Sequence, residues 1–144
     1  MTESPGRVLD VDQEIEIAAP VDKVFAGLLA RLTSNNVRPD GVPMPMVLEA
    51  RPGGRWFREL EDDAGHLWGF VQVIKPPTLL EITGPMFMSY PVSGHVQFRL
   101  EATETGTRLS LRHRAFGLIE EEHTQGATAG WSSLLERVSG DLSG

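Results

Sequence analysis

The chain has 144 residues, 40% of them hydrophobic and 23% charged, a balance that suits one globular domain and argues against wholesale disorder. Thirteen Lys and Arg against twenty Asp and Glu give a formal charge of -7, which makes nucleic acid and anionic membrane surfaces poor electrostatic partners. With no cysteine there is no disulfide framework, no thiolate nucleophile and no cysteine-based zinc site.

The opening MTESPGRVLD lacks a basic-then-apolar leader, and no apolar run approaches the roughly 20 residues that span a bilayer. A cytoplasmic protein with no membrane insertion is therefore expected. Residues 1–7, small and polar, are expected to be a flexible terminus on a single domain spanning 1–144. From Val8 to Ile17 the chain alternates, with Val11, Gln13, Ile15 and Ile17 on one parity and Asp12, Glu14 and Glu16 on the other; this predicts a strand with one wet face. Pro20 suits a first helical turn, and Val21, Val24, Phe25, Leu28, Leu29 and Leu32 follow at helical spacing, so 20–32 reads as an amphipathic helix. Residues 33–45 read as a loop.

Short apolar segments then recur between turn signals. Met46–Ala50 precedes Arg51-Pro52-Gly53-Gly54, where Pro then Gly suits the centre of a type II turn. Arg55–Glu61 and His66–Lys75 flank Asp62-Asp63-Ala64-Gly65, a hairpin loop. Pro76-Pro77 ends that strand and Thr78–Thr83 begins another, with Glu81 expected on the outer face. Gly94–Ala102 and Arg108–Ala115 alternate on either side of a Thr103–Thr107 turn. The period then changes: Ile119, followed by Ala127, Gly130, Trp131, Leu134, Leu135 and Val138, makes a helical stripe, and Glu120, Glu121 and Glu122 complement the positive end of its dipole. This final helix is expected to cover one face of an antiparallel sheet.

That order of elements resembles the helix-grip fold of the START/SRPBCC superfamily, the birch-pollen-allergen-like proteins. Local features are similar to the branch related to the C-terminal domain of the heat-shock-protein-90 ATPase activator. They are Ala19-Pro20-Val21-Asp22-Lys23-Val24-Phe25, Arg51-Pro52-Gly53-Gly54-Arg55-Trp56, Gly69-Phe70-Val71 with Ile74-Lys75-Pro76-Pro77, Thr107–His113, and Gly130-Trp131 before Leu134-Leu135. The resemblance implies an α+β fold, with a curved antiparallel sheet of about seven strands wrapped around a long C-terminal helix. It also implies a ligand cavity between sheet and helix, but no single function, because one scaffold hosts many. Gly126 and Gly130 admit three readings: close approach of helix to sheet, space beneath the helix, or a break near Gly126. In each, Trp131 anchors the buried stripe.

The expected ligand contacts are Met46, Trp56, Val71, Met86, Met88, Tyr90, Phe98, Leu111, His113, Ala127 and Trp131. Met44/Met46 and Met86/Met88 are dyads that extended backbone would aim at one place, and Met suits apolar guests of imperfect shape, although core filling is the simpler account of any one of them. His113 shares the inward parity of Leu109 and Leu111, so its imidazole either orients a ligand or acts as a base; the alternative is a hydrogen-bonded structural histidine. Tyr90 offers a phenol at the cavity mouth. No histidines stand at metal-ligand spacing, and neither metal nor cofactor is expected. Periodicity leaves the 66–75 strand undecided between its faces. The resemblance turns Gly69 and Val71 inward, and Trp68 and Phe70 would then form an outer patch suited to a homodimer.

Three functions follow in order of preference. The first is a binding protein for an apolar small molecule or lipid, neutral or cationic. The second is a cyclase- or dehydratase-type enzyme with His113 as base and Tyr90 as donor. The third is a chaperone-linked interaction module.

Overall fold

The computed structural model describes residues 7–143. Most of the expected terminus therefore lies outside the described residues, while Arg7 already belongs to the first strand. The elements run β1 (Arg7–Ile17), α1 (Val21–Leu32), β2 (Val47–Leu48), β3 (Arg55–Glu59), β4 (Gly65–Lys75), β5 (Leu79–Thr83), β6 (Val92–Thr103), β7 (Gly106–Gly117) and α2 (Glu121–Leu142). The seven strands form one antiparallel sheet in the order β1-β7-β6-β5-β4-β3-β2. With the long C-terminal helix this is the α+β helix-grip fold.

Alternation dictates the inner face along most of the sheet. In β1, Leu9, Val11 and Ile17 are buried; in β6, Val96, Phe98 and Leu100 are; in β7, Leu109, Leu111, His113 and Ala115 are. The β6–β7 ladder continues to Thr103↔Gly106, so the connecting turn is tighter than the expected Thr103–Thr107. The type II turn at Arg51–Gly54 forms as expected: Gly53 takes φ +81, and the Gly54 N–H donates to the Arg51 carbonyl at 2.8 Å. Glu81 lies on the outer face, bonded to His95 at 2.8 Å and Gln97 at 3.1 Å.

Three expectations need correction. Met46–Ala50 supplies a strand of only two residues, Val47–Leu48. The final helix does not cover the sheet alone, because α1 buries Val24, Phe25, Leu28 and Leu32 against the same core. The third concerns β4, where the register slips twice against its neighbours, between Trp56 and Phe57 on β3 and between Val71 and Val73 on β4 itself. At the first slip Trp56 pairs with Gly69 but Phe57 with Leu67, leaving Trp68 as an extra residue. Trp68 consequently turns inward onto Trp56, with ring centroids 5.0 Å apart at 78°. Gly69 and Val71 are buried, and Phe70 stays outside at 48% exposure. The expected Trp68/Phe70 outer patch loses its tryptophan, and with it the motive for a homodimer.

Candidate functional site

α2 packs on α1 and β1 but stands away from the β3–β4 hairpin, and a cavity of about 680 Å³ opens there. Its floor is aromatic. Trp56 and Trp68 from the hairpin, Phe87 from the β5–β6 connection and Trp131 from α2 all contribute to the wall. Trp68 meets Phe87 edge-on at 6.2 Å, and Phe87 meets His123 at 6.3 Å. Trp56 is fixed by its indole N–H, which donates to the Leu32 carbonyl at 2.9 Å and so satisfies an orphan acceptor at the end of α1.

The helical wall explains the two glycines. His123, Ala127, Gly130 and Leu134, with Gly126, Ser133 and Arg137, place one stripe of α2 against the cavity. A Cβ added at Gly126 or Gly130 would meet nothing within 4 Å. α2 runs unbroken through both. Of the three readings, close approach and a helix break are excluded, and space beneath the helix remains.

Of the expected ligand contacts, Trp56, Ala127 and Trp131 stand in the cavity wall. Met46, Val71, Met86, Met88, Phe98 and Leu111 are buried in the hydrophobic core rather than in that wall. The methionine argument assumed extended backbone, but Met86 takes φ +58 and the Met88 N–H bonds back to the Pro85 carbonyl at 3.2 Å. This turn hides both thioethers and presents Phe87, which lies between them, to the cavity. In the other dyad Met44, rather than Met46, reaches the wall.

His113 is fully buried beside the wall rather than in it. The Trp131 indole N–H donates to its Nδ1 at 2.9 Å, so the neutral ring carries its proton on Nε2, which has no partner among the described residues. Burial, with the nearby His95 as a lesser influence, pushes its pKa down to about 4. Tyr90 bonds elsewhere, its hydroxyl lying 2.5 Å from Nδ1 of His123 with the rings stacked. Thus the expected acid–base pair, His113 and Tyr90, is split between two partners, and the histidine that reaches the cavity is His123.

Sequence reasoning passed over His123, Phe87, Arg58 and Arg137 as cavity residues and turned Trp68 outward. Two of these left a signal. His123 extends the Ala127/Trp131 stripe back by one turn, and Arg58 shares the parity of Trp56. No group of acidic or histidine side chains among the described residues is arranged to hold a metal ion. Among those residues, too, no helix is long and apolar enough to cross a membrane.

The family model described as activator of Hsp90 ATPase homolog 1-like protein matches residues 18–140. No curated protein matches the chain in sequence. Among solved structures, protein MLL2253 from Mesorhizobium loti superposes with a TM-score of 0.70 at 20% identity, over 91% of this chain and 94% of that one. Protein CV1439 from Chromobacterium violaceum gives 0.70 at 18% identity, over 94% and 97%. The di-domain ARO/CYC StfQ of the steffimycin biosynthetic pathway gives 0.61 at 16% identity, over 94% of this chain and 50% of its own. These similarities share the sheet and the helix it wraps. On that family match, the chain belongs to the activator of Hsp90 ATPase homolog 1-like family, within the START/SRPBCC superfamily.

Proposed function

We propose that the protein binds an apolar small molecule in the cavity between the β3–β4 hairpin and α2. One observation carries this reading: the stretch of α2 that faces Trp56, Trp68 and Phe87 is bare at the half-buried Gly130 and at the more exposed Gly126, with no atom within 4 Å of either missing Cβ. A helix whose only task was to close the core would fill that space, since each glycine costs about 1 kcal/mol against alanine. The volume of about 680 Å³ falls in the size range of small-molecule sites, and burying an apolar guest there would supply the affinity.

All three tryptophans of the chain stand in the cavity wall, so intrinsic fluorescence reports its occupancy. Titration with an aromatic alcohol such as 2-naphthylmethanol is expected to change tryptophan emission saturably. Gly130→Leu, which fills the space, should abolish that response without lowering the melting temperature. A folded protein that responds to none of a broad apolar panel would overturn the reading.

A cyclase-type reaction in the same cavity is a second reading. It is favoured by the Tyr90–His123 hydrogen bond, which sets a phenol against an imidazole at the cavity wall. The di-domain ARO/CYC is a fold neighbour and supports it only at that level. Retained turnover in His123→Ala, on any substrate found, would remove it.

A further inference from the structure

The polar part of the cavity wall carries a charge opposite to that of the whole chain. Four arginines line it, Arg31, Arg38, Arg58 and Arg137, against one carboxylate, Asp40. Two of the four are already neutralised. Arg31 grips Asp141 through two bonds of 2.7 and 2.8 Å, and Arg38 grips Asp40.

Arg58 and Arg137 have no such partner. Among the described residues neither lies within salt-bridge distance of a carboxylate, and the one side-chain bond of Arg137 is from Nε to the Ser133 hydroxyl at 3.1 Å. Both are half-buried. Arg58 occupies the inner face of β3, two residues from Trp56, and Arg137 approaches from α2, so the two come from opposite walls of one cavity. Partial burial of an unpaired guanidinium is costly, and a planar oxyanion held by its N–H fork relieves that cost.

Resting on the small-molecule reading above, we infer that the cavity selects an aromatic carboxylic acid. Its ring lies among Trp56, Trp68, Phe87 and Trp131, and its carboxylate is held by Arg58 and Arg137. A neutral or cationic guest, the expectation of the sequence reading, would leave both guanidinium groups unmatched.

The test compares probes of one shape and three charges on the intact chain: 2-naphthoate, 2-naphthylmethanol and 2-naphthylmethylamine, read by tryptophan fluorescence. Naphthoate is expected to bind about ten-fold tighter than the alcohol, and the amine weakest. Arg58→Gln and Arg137→Gln should each cut the preference for naphthoate over the alcohol several-fold, and the double variant should erase it. Arg58→Lys and Arg137→Lys, which keep the charge, should retain part of it, and unchanged melting temperatures verify the fold of each variant. Decanoate, with the same charge and no ring, should bind more weakly than naphthoate. An acid that binds no tighter than the alcohol, a preference that survives the double variant, or decanoate matching naphthoate overturns the assignment while leaving the cavity reading intact. Silence from every probe overturns both.

Discussion

At the scale of single residues, His113 shows how burial sets a protonation state and one hydrogen bond sets a tautomer. Its Nδ1 accepts from Trp131, and burial, with His95 as a lesser influence, holds the ring neutral down to a pKa of about 4. In the unfolded chain an ordinary histidine takes up its proton near 6.5. Between those values the unfolded state binds more protons than the folded one, so this group erodes stability as pH falls from 6.5 toward 4, by about 3 kcal/mol in all. Above 6.5 it adds no slope. Urea unfolding at pH 7 and pH 5 should therefore show a marked loss in the wild type. His113→Gln, which keeps an acceptor for the indole, should show a smaller loss, and equal losses would refute the assignment. Removing the donor instead, with Trp131→Phe, strands a buried acceptor and should cost about 1–3 kcal/mol on that account alone. At the surface, Arg55 grips Glu49 through bonds of 3.0 and 2.9 Å and holds its carboxyl down to about 2. That pair lies in solvent, and such pairs contribute little to stability.

At the scale of elements, the same substitution should have opposite signs in the sheet and in the helix. A Cβ at Gly69 would lie 2.7 Å from Cγ2 of Ile82 and 2.8 Å from the Thr83 carbonyl oxygen. The second neighbour is backbone and cannot swing aside, so Gly69→Ala must pry β4 from β5. A loss of about 2 kcal/mol or more is expected. Gly126→Ala meets nothing and gains helix propensity, so it should stabilise by up to about 1 kcal/mol. Chemical denaturation of both variants checks the pair, and a destabilised Gly126→Ala would mean that the helix stripe is not as open as described. The slip beside Gly69 has a functional consequence. Because one residue of register reverses which face a side chain occupies, Trp68 joins the cavity wall instead of the outer surface.

At the scale of the whole molecule, a ligand that binds only the folded chain stabilises it by mass action. At a free concentration of one hundred times its dissociation constant the gain is about 2.7 kcal/mol. For a domain of this size that corresponds to a rise in melting temperature of roughly 5–10 °C. The rise should vanish in Gly130→Leu, and its persistence there would place the bound molecule elsewhere on the surface. The formal charge of -7 is a sum over the whole chain and carries no position. The cavity collects arginines from α1, the following loop, β3 and α2, and so presents the minority charge to a guest.

The order of strands and helices, the buried parity of β1, β6 and β7, and the stripe containing Trp131 were all written in the amino-acid sequence. Periodicity is a local property, and each of those elements keeps its period from end to end. The family was legible for a related reason, since its motifs mark turns and helix starts whose backbone demands are local too. Three features depended on tertiary structure. Trp68 faces inward only because β4 gains a residue against β3, and no residue type announced that slip. Phe87 displaces its neighbouring methionines from the wall only because the chain turns at Met86. Arg58 and Arg137, 79 positions apart by their numbers, share one cavity only because the sheet curves toward α2 and the helix leaves its glycines uncovered. A cavity is the gap between two surfaces packed from distant segments, so a reading taken one segment at a time finds its walls without finding the space.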